Sequence, residues 1–273
     1  RLLTIQDISC VGQCSLTVAL PIISACGIET AILPSAVLST HTAGFTGYTF
    51  RDLTDDMPEI CNHWEKENIK FNCVYTGYLG SKKQIEYVKK IYNATKTETS
   101  KLIVDPAMAD NGKLYPGFDM AFVDEMSSLC AEADYILPNI TEATMMCGME
   151  FKTEHTREYI DEIISRLKAK GVKNIILTGI SYREGMTGVV VYENDTYEYY
   201  EHEFLPNSCH GTGDIYASAF VGAITRGKSA YESAKISADF TVECIKATAK
   251  EDNHWYGAKF ETELGKLIDM LNA

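Results

Sequence analysis

The chain has 273 residues, of which 45% are hydrophobic and 23% charged, the balance of a globular protein rather than a disordered or fibrous one. Its formal net charge is −13, and basic residues gather no further than pairs such as Lys82-Lys83 and Lys89-Lys90, which argues against a nucleic-acid partner or an anionic membrane surface. Residues 1–7 are too short an apolar run for a signal peptide, and no stretch approaches the ~18 apolar residues of a membrane span. The nine scattered cysteines contain no Cys-x-x-Cys pair and indicate neither a zinc site nor a disulfide framework, so a reducing cytoplasm is the expected compartment.

In chain order, residues 2–6 form a short apolar run expected to be a strand. Residues 15–26 carry apolar side chains at helical spacing and are closed by Gly27 as a C-cap. A second strand is expected over 30–33. Between 35 and 56 the rhythm breaks, with Gly44, Gly47, many Ser/Thr and no clean period, and a connection of that length is expected to be a lid or substrate loop. Alternation resumes with strands over 72–75 and 101–104 around a helix over 82–96. Strands over 134–137 and 174–178 then flank a helix over 158–170 stopped by Gly171. Strands over 187–192 and 196–203 flank Glu193-Asn194-Asp195 and should pair as an antiparallel hairpin. Helices over 211–226 and 230–248, the second with Ser229 and Glu232 at capping-box spacing, are read as closing the chain. This alternation predicts an α/β fold, a mostly parallel central sheet with helices on both faces and ligands at the carboxyl ends of the strands. With no linker, repeat or low-complexity stretch, a single domain over 1–273 is expected.

The most informative segment is His210-Gly211-Thr212-Gly213-Asp214, where an alanine-rich apolar helix begins. Glycines on either side of Thr212 allow a tight turn that exposes successive N–H groups. A helix N-terminus with free N–H groups at the positive end of its dipole is an anion site. Asp214 also has a plainer reading, since acidic residues stabilise helix N-termini in general. No Walker A loop occurs, and a dinucleotide fingerprint would need a third glycine where Tyr216 stands, so a phosphate donor would be held without a P-loop lysine. Asn139-Ile-Thr-Glu142 reads either as a capping box or as an amide and a carboxylate facing Mg²⁺-bound phosphates, usually through water. Asp105-Pro106 puts another carboxylate at a strand's carboxyl end, which alone is an ordinary Asp-Pro turn. Cys209 reads as structural and His210 as a loop residue.

Together, Gly-Thr-Gly-Asp near the end of the chain, Asn-x-x-Glu after a mid-chain strand and the missing P-loop resemble the ribokinase-like superfamily of small-molecule kinases. The resemblance is closer to the pyridoxal kinases. Thr76-Gly77-Tyr78-Leu79-Gly80-Ser81 resembles their Ser/Thr-Gly-Tyr-Leu-Gly-Ser, Ser39-Thr40-His41-Thr42 their Ser-Asn-His-Thr, and Asp105-Pro106-Ala107-Met108 their Asp-Pro-Val-Met. The stretch from Ile136 to Asn139 is similar to the one before their Asn-x-x-Glu, and the blocks run in family order from residue 3 to about 225. The resemblance implies a ribokinase-like three-layer sandwich and ATP-dependent phosphorylation of the 5′-hydroxymethyl group of a vitamin B6 vitamer. It further implies Asp214 as general base, with backbone N–H groups of Gly211, Thr212 and Gly213 as anion hole. Asp105, Asn139 and Glu142 would organise Mg²⁺ and the ATP phosphates, Asp105 and Glu142 on the metal side. Thr178 would contact the nucleotide, while Asp7, Ser9, Thr42 and Tyr78 would meet the substrate. A monovalent cation such as K⁺ and a homodimer are compatible with the family.

Departures from the pattern keep alternatives in play. Pyridoxal kinases commonly have Gln-Ser-His after the first strand, whereas Gln6 is followed here by Asp7-Ile8-Ser9, and an Asp favours the protonated form of a pyridine ring nitrogen. An Asp at this point resembles the hydroxymethylpyrimidine kinases of thiamine synthesis, whose usual ending is Gly-Thr-Gly-Cys; Asp214 stands at that cysteine. A non-catalytic ligand-binding relative is opposed by the intact motif residues. A sugar or nucleoside kinase is opposed by the absence of a Gly-Gly pair in residues 1–45.

Overall fold

Leu3 and Ile5 of the first strand pack into one hydrophobic cluster while Leu2 packs into another, so both faces of this strand are buried. The same sorting holds for Val74 against Cys73 and Tyr75, for Leu102 and Val104 against Ile103, and for Ile175 and Leu177 against Ile176. A strand buried on both sides must lie inside a sheet covered by helices on each face, as in a parallel α/β sheet. The computed structural model describes residues 1–206 and 209–273 and has that architecture.

The elements are β1 (Leu2–Ser9), α1 (Leu16–Ala25), β2 (Thr30–Leu38), β3 (Phe50–Asp52), α2 (Met57–Lys66), β4 (Phe71–Thr76), α3 (Lys82–Thr95), β5 (Lys96–Val104), β6 (Ala109–Asp110), β7 (Lys113–Leu114), α4 (Met120–Glu132), β8 (Tyr135–Ile136), α5 (Ile140–Cys147), α6 (Arg157–Ala169), β9 (Asn174–Ile180), β10 (Met186–Glu193), β11 (Thr196–Glu203), α7 (Thr212–Thr225), α8 (Ala230–Thr248) and α9 (Leu264–Asn272). Nine strands form one sheet in the order β11-β10-β9-β8-β5-β4-β1-β2-β3, and β6 and β7 form a small separate pair. Strands β2, β1, β4, β5, β8 and β9 are mutually parallel. Antiparallel β3 closes one edge and the β10–β11 hairpin the other. Helices α2 to α6 cover one face and α1, α7 and α8 the other, with α9 packed on α1 and α8. The ribokinase-like layering and the mostly parallel sheet are therefore as expected. Among the described residues no helix is long and apolar enough to cross a membrane.

Two readings of the sequence need correction. Residues 35–56 are not one structureless segment. β2 continues to Leu38, β3 pairs with it, and Ser39 and Thr49 close the intervening loop through Ser39 N–H to Thr49 O (3.1 Å) and Thr49 N–H to Ser39 Oγ (2.9 Å). The loop proper is residues 39–49. All of β3 is exposed, so it carries no alternation to read. Nor does α8 close the chain: α9 follows, short and interrupted by Gly265, with only Leu267 and Leu271 buried.

Candidate active site

α7 begins where the backbone turns on Gly211, at φ 78°. A Cβ there would stand 1.8 Å from the Gln13 carbonyl oxygen, so only glycine fits both the conformation and the space. The first helical hydrogen bond runs from Ile215 N–H to Gly211 O at 3.0 Å, which leaves the N–H groups of Thr212, Gly213 and Asp214 outside the helical ladder. With the positive end of the helix dipole, these groups make an anion-binding terminus anchored by a helix whose residues from Ala217 to Ile224 are all buried.

Asp214 lies in the first turn of this helix. The residue is half-buried, and desolvation pushes its carboxyl up to about 7; the nearby Ser15 backbone N–H pulls the other way, and Asp7 adds a further push upward. A carboxyl poised near neutrality can take a proton at physiological pH.

Two more carboxyls converge from the carboxyl ends of the parallel strands. Asp105 follows β5, its N–H donating to Thr76 O at 2.9 Å. Glu142 sits in the first turn of α5, 2% exposed. Burial raises both well above the ordinary carboxylate range; Glu142 and Asp214 push Asp105 further, while backbone N–H groups partly restrain Glu142. The capping box of the sequence is formed: Asn139 Oδ1 accepts from Glu142 N–H and Glu142 Oε2 accepts from Asn139 N–H, both at 2.9 Å. Glu142 Oε1 also accepts from Met108 N–H (3.1 Å), and Asn139 Nδ2 donates to Ala109 O (2.8 Å). Thr178 lies beside Asn139 on the next strand, its N–H and Oγ1 both reaching Pro138 O, at 3.0 and 3.4 Å.

This donor set fits a divalent cation. Among the described residues no lysine or arginine acts on Asp105 or Asp214, so the crowded negative charge there has no basic counterion. Among the described residues no group of three His, Cys, Asp or Glu side chains could hold an ion alone. The arrangement suits an ion that keeps water and phosphate oxygens in its shell.

On the other side of Asp214, β1 carries an irregularity between Gln6 and Ile8, and Asp7 sits on it. Bulges of this kind re-aim side chains near functional sites. Asp7 is 6% exposed and Ser9 Oγ donates to it at 3.2 Å, yet burial keeps its carboxyl above the ordinary range. Tyr78 is half-buried against Phe118, ring centroids 5.6 Å apart, and burial with the nearby Asp7 pushes its phenol up to about 12. Gln84 fixes the loop before it, accepting from Gly80 N–H at 2.7 Å and donating to Ser35 O at 3.0 Å. Thr42, expected at the substrate, is solvent-exposed; the buried residue of that motif is its neighbour His41.

In the sequence His41 stands out only as part of a motif. Its Nδ1 accepts from Ala43 N–H at 3.1 Å, which leaves Nε2 to donate to Tyr256 O at 2.7 Å. The tract 254–258 thus reaches the site: Trp255 meets Phe45 (centroids 4.7 Å), Gln13 N–H donates to Tyr256 O (3.3 Å), and Ala258 N–H donates to His210 O (2.9 Å) beside the anion-binding turn. The one trace of this in the sequence is the aromatic run His254-Trp255-Tyr256-Gly257. His210 faces His41 and is partly buried, which holds its imidazole below the ordinary range. Burial together with Asp214 and Asp7 pushes the Cys14 thiol upward, which favours the neutral thiol.

The model of the family described as phosphomethylpyrimidine kinase matches residues 23–258. A Bacteroides thetaiotaomicron protein bearing a provisional phosphomethylpyrimidine kinase name is 35% identical, with a TM-score of 0.93, covering 98% of this chain and 93% of that one. A second crystal form of that protein contains pyridoxal. Pyridoxal kinase from Lactobacillus plantarum is 28% identical with a TM-score of 0.91, covering 98% and 96% of the two chains. A pyridoxal kinase of Dictyostelium discoideum is 27% identical over 238 residues, 81% of this chain and 77% of its own.

Proposed function

The chain belongs to the phosphomethylpyrimidine kinase family, and from that premise we propose that it is an ATP-dependent pyridoxal kinase, phosphorylating the 5′-hydroxymethyl group of a vitamin B6 vitamer. The observation that carries this reading is the half-buried Asp214 carboxyl at the start of α7, immediately beside N–H groups left outside the helical ladder. A base and an anion hole on one turn of backbone are what transfer of a phosphoryl group to an alcohol requires.

In the reaction, Asp214 accepts the proton of the hydroxymethyl group as its oxygen attacks the γ-phosphorus of ATP. The bond to the β,γ-bridging oxygen breaks and ADP leaves. The N–H groups of Gly211, Thr212 and Gly213 receive the charge on the transferring group, and Asn139 and Thr178 orient the nucleotide. Asp105 and Glu142 would hold Mg²⁺ through water, the ion supplying positive charge against the phosphates. Asp7, Ser9 and Tyr78 orient the acceptor ring, and Thr42 meets it only if the loop 39–49 moves inward, which makes that loop a lid that excludes water. A single kinase domain over 1–273, a homodimer and a cytoplasmic location complete the reading, the last supported by thiols buried inside apolar clusters such as Cys73, Cys130 and Cys244.

One observation favours a second reading. The buried Asp7 beside the acceptor position suits a hydroxymethylpyrimidine as well as a pyridine. ADP release measured with pyridoxal, pyridoxamine, hydroxymethylpyrimidine or no acceptor separates the two. Turnover with a B6 vitamer and little with the pyrimidine is expected; preference for the pyrimidine would move the protein to the second reading.

A further inference from the structure

Gln84 stands in the first turn of α3, where Ser81 caps the helix by accepting from Gln84 N–H at 3.3 Å. Ser81-x-x-Gln84 has capping-box spacing, in which the glutamine side chain would return to the N-cap N–H. Here it does something else. Its Oε1 accepts from Gly80 N–H at 2.7 Å, while its Nε2 leaves the helix and donates to Ser35 O at 3.0 Å and to Thr54 Oγ1 at 2.9 Å, with Asp52 Oδ1 a third acceptor at 3.3 Å. The residue is 1% exposed.

The three acceptors flank the loop 39–49. Ser35 lies on β2, which leads into the loop, and Asp52 ends β3, which leads out of it. Leu53 N–H donates to the same Ser35 carbonyl at 3.0 Å, and Asp52 Oδ1 accepts from Thr54 N–H at 2.7 Å and from Thr54 Oγ1 at 2.5 Å, so these residues make one connected base for the loop. On the other side of the amide, Gly80 belongs to the stretch 77–80 that carries Tyr78, and Ser35 Oγ donates to Tyr78 O at 3.5 Å. A carboxamide serves both sides because it accepts through oxygen and donates twice through nitrogen. A carboxylate here could not donate, and a thioether offers no donor and only a weak acceptor.

We infer that Gln84 is a positioning residue for the acceptor: it couples the base of the loop 39–49 to the Tyr78 stretch, so that closure of the loop and placement of the ring contact occur together. The inference rests on the kinase reading, in which Tyr78 meets the acceptor ring and the loop excludes water. Gln84 acts through these two segments rather than on the acceptor.

Gln84→Met keeps the side-chain length and removes the bonds on both sides. KM for pyridoxal should rise about tenfold, in the range that two hydrogen bonds are worth. Both kcat and KM for ATP should stay within about threefold, because Asp214, Asn139 and Thr178 are untouched. A loosened loop also admits water, so ADP release should exceed pyridoxal 5′-phosphate formation, a ratio that a merely structural defect leaves unchanged. Asp52→Ala cuts the link from the loop side at an exposed position. Alone it should raise KM for pyridoxal about threefold and shift the product ratio the same way; added to Gln84→Met it should change KM by less than about twofold, since the two act through one contact. A parent-like pyridoxal KM in folded Gln84→Met, equal rises in both KM values, or full multiplication of the two effects in the double variant would overturn the assignment. If Gln84→Met does not unfold cooperatively, Asp52→Ala decides by its own KM and product ratio. A parent that phosphorylates no B6 vitamer removes the kinase reading and this role with it, whereas an active parent beside an unaffected Gln84→Met removes only the role.

Discussion

His41 donates its Nε2–H to the backbone carbonyl of Tyr256 at 2.7 Å, which ties the loop after β2 to the tract that follows α8. The ring is 4% exposed, meets Phe45 edge-on with centroids 5.0 Å apart, and lies where a Cβ on Gly12 would collide with it. Three segments distant in sequence therefore share one imidazole next to the anion-binding turn.

Replacing His41 by Ala removes the bond to Tyr256, the acceptor for Ala43 N–H and the ring packing together. A stability loss of about 2–3 kcal/mol is expected, the sum of a buried hydrogen bond and a small cavity. Urea unfolding measures it, and steady-state kinetics should show KM for the acceptor rising more than kcat falls, because the loop 39–49 is loosened rather than the base. Unchanged stability would mean that the imidazole is not holding these segments.

Gly211→Ala tests the turn itself. The added methyl would meet Gln13 O at 1.8 Å at φ 78°, so the turn has to move. A cost of about 1–2 kcal/mol from the left-handed conformation is the minimum, and kcat should drop about 10²-fold as the N–H groups leave the transferring phosphoryl.

Asp214 predicts a pH dependence of two kinds. The base must be ionised, and with its carboxyl pushed up to about 7 the acid limb of kcat/KM should lie near neutrality, far above an ordinary carboxylate, falling tenfold per unit below it. Stability runs the opposite way. The folded protein holds this proton more tightly than the unfolded chain, so between about pH 4 and 7 the group's contribution to stability falls as pH rises. Asp214→Asn should therefore melt above the parent at pH 8 and lose that advantage toward pH 4, as thermal unfolding across pH would record.

Asp105 and Glu142 repel each other inside the fold without a basic side chain on Asp105. Asp105→Asn should raise the melting temperature of the ligand-free protein and shrink the further rise given by Mg²⁺ with ATP. A ligand-induced rise equal to the parent's would remove Asp105 from the metal side of the site.

Much of this site is written locally. Gly211, Gly213 and Asp214 stand out as a glycine-flanked turn running into an alanine-rich helix, which the structure forms, and the Asn139–Glu142 spacing forms the capping box it suggests. That box also shows why the sequence left two readings open: a carboxylate bonded to the N-cap still has lone pairs to offer. β3 was illegible because its three residues are all exposed and are ordered only by pairing with β2. The extension of β2 past Pro34 is paired on both sides, with β1 and with β3. His41 hid for another reason. Its role lies in a carbonyl far along the chain, which leaves no pattern in neighbouring residues.

The most direct measurement is steady-state turnover of Asp214→Asn beside the parent with pyridoxal, ATP and Mg²⁺, with pyridoxal affinity measured on both. A parent that turns over and a variant whose kcat is lower by about 10²–10⁴ with pyridoxal binding retained is the predicted result. Near-parent turnover in Asp214→Asn, or a parent that releases no ADP with any B6 vitamer, would contradict it.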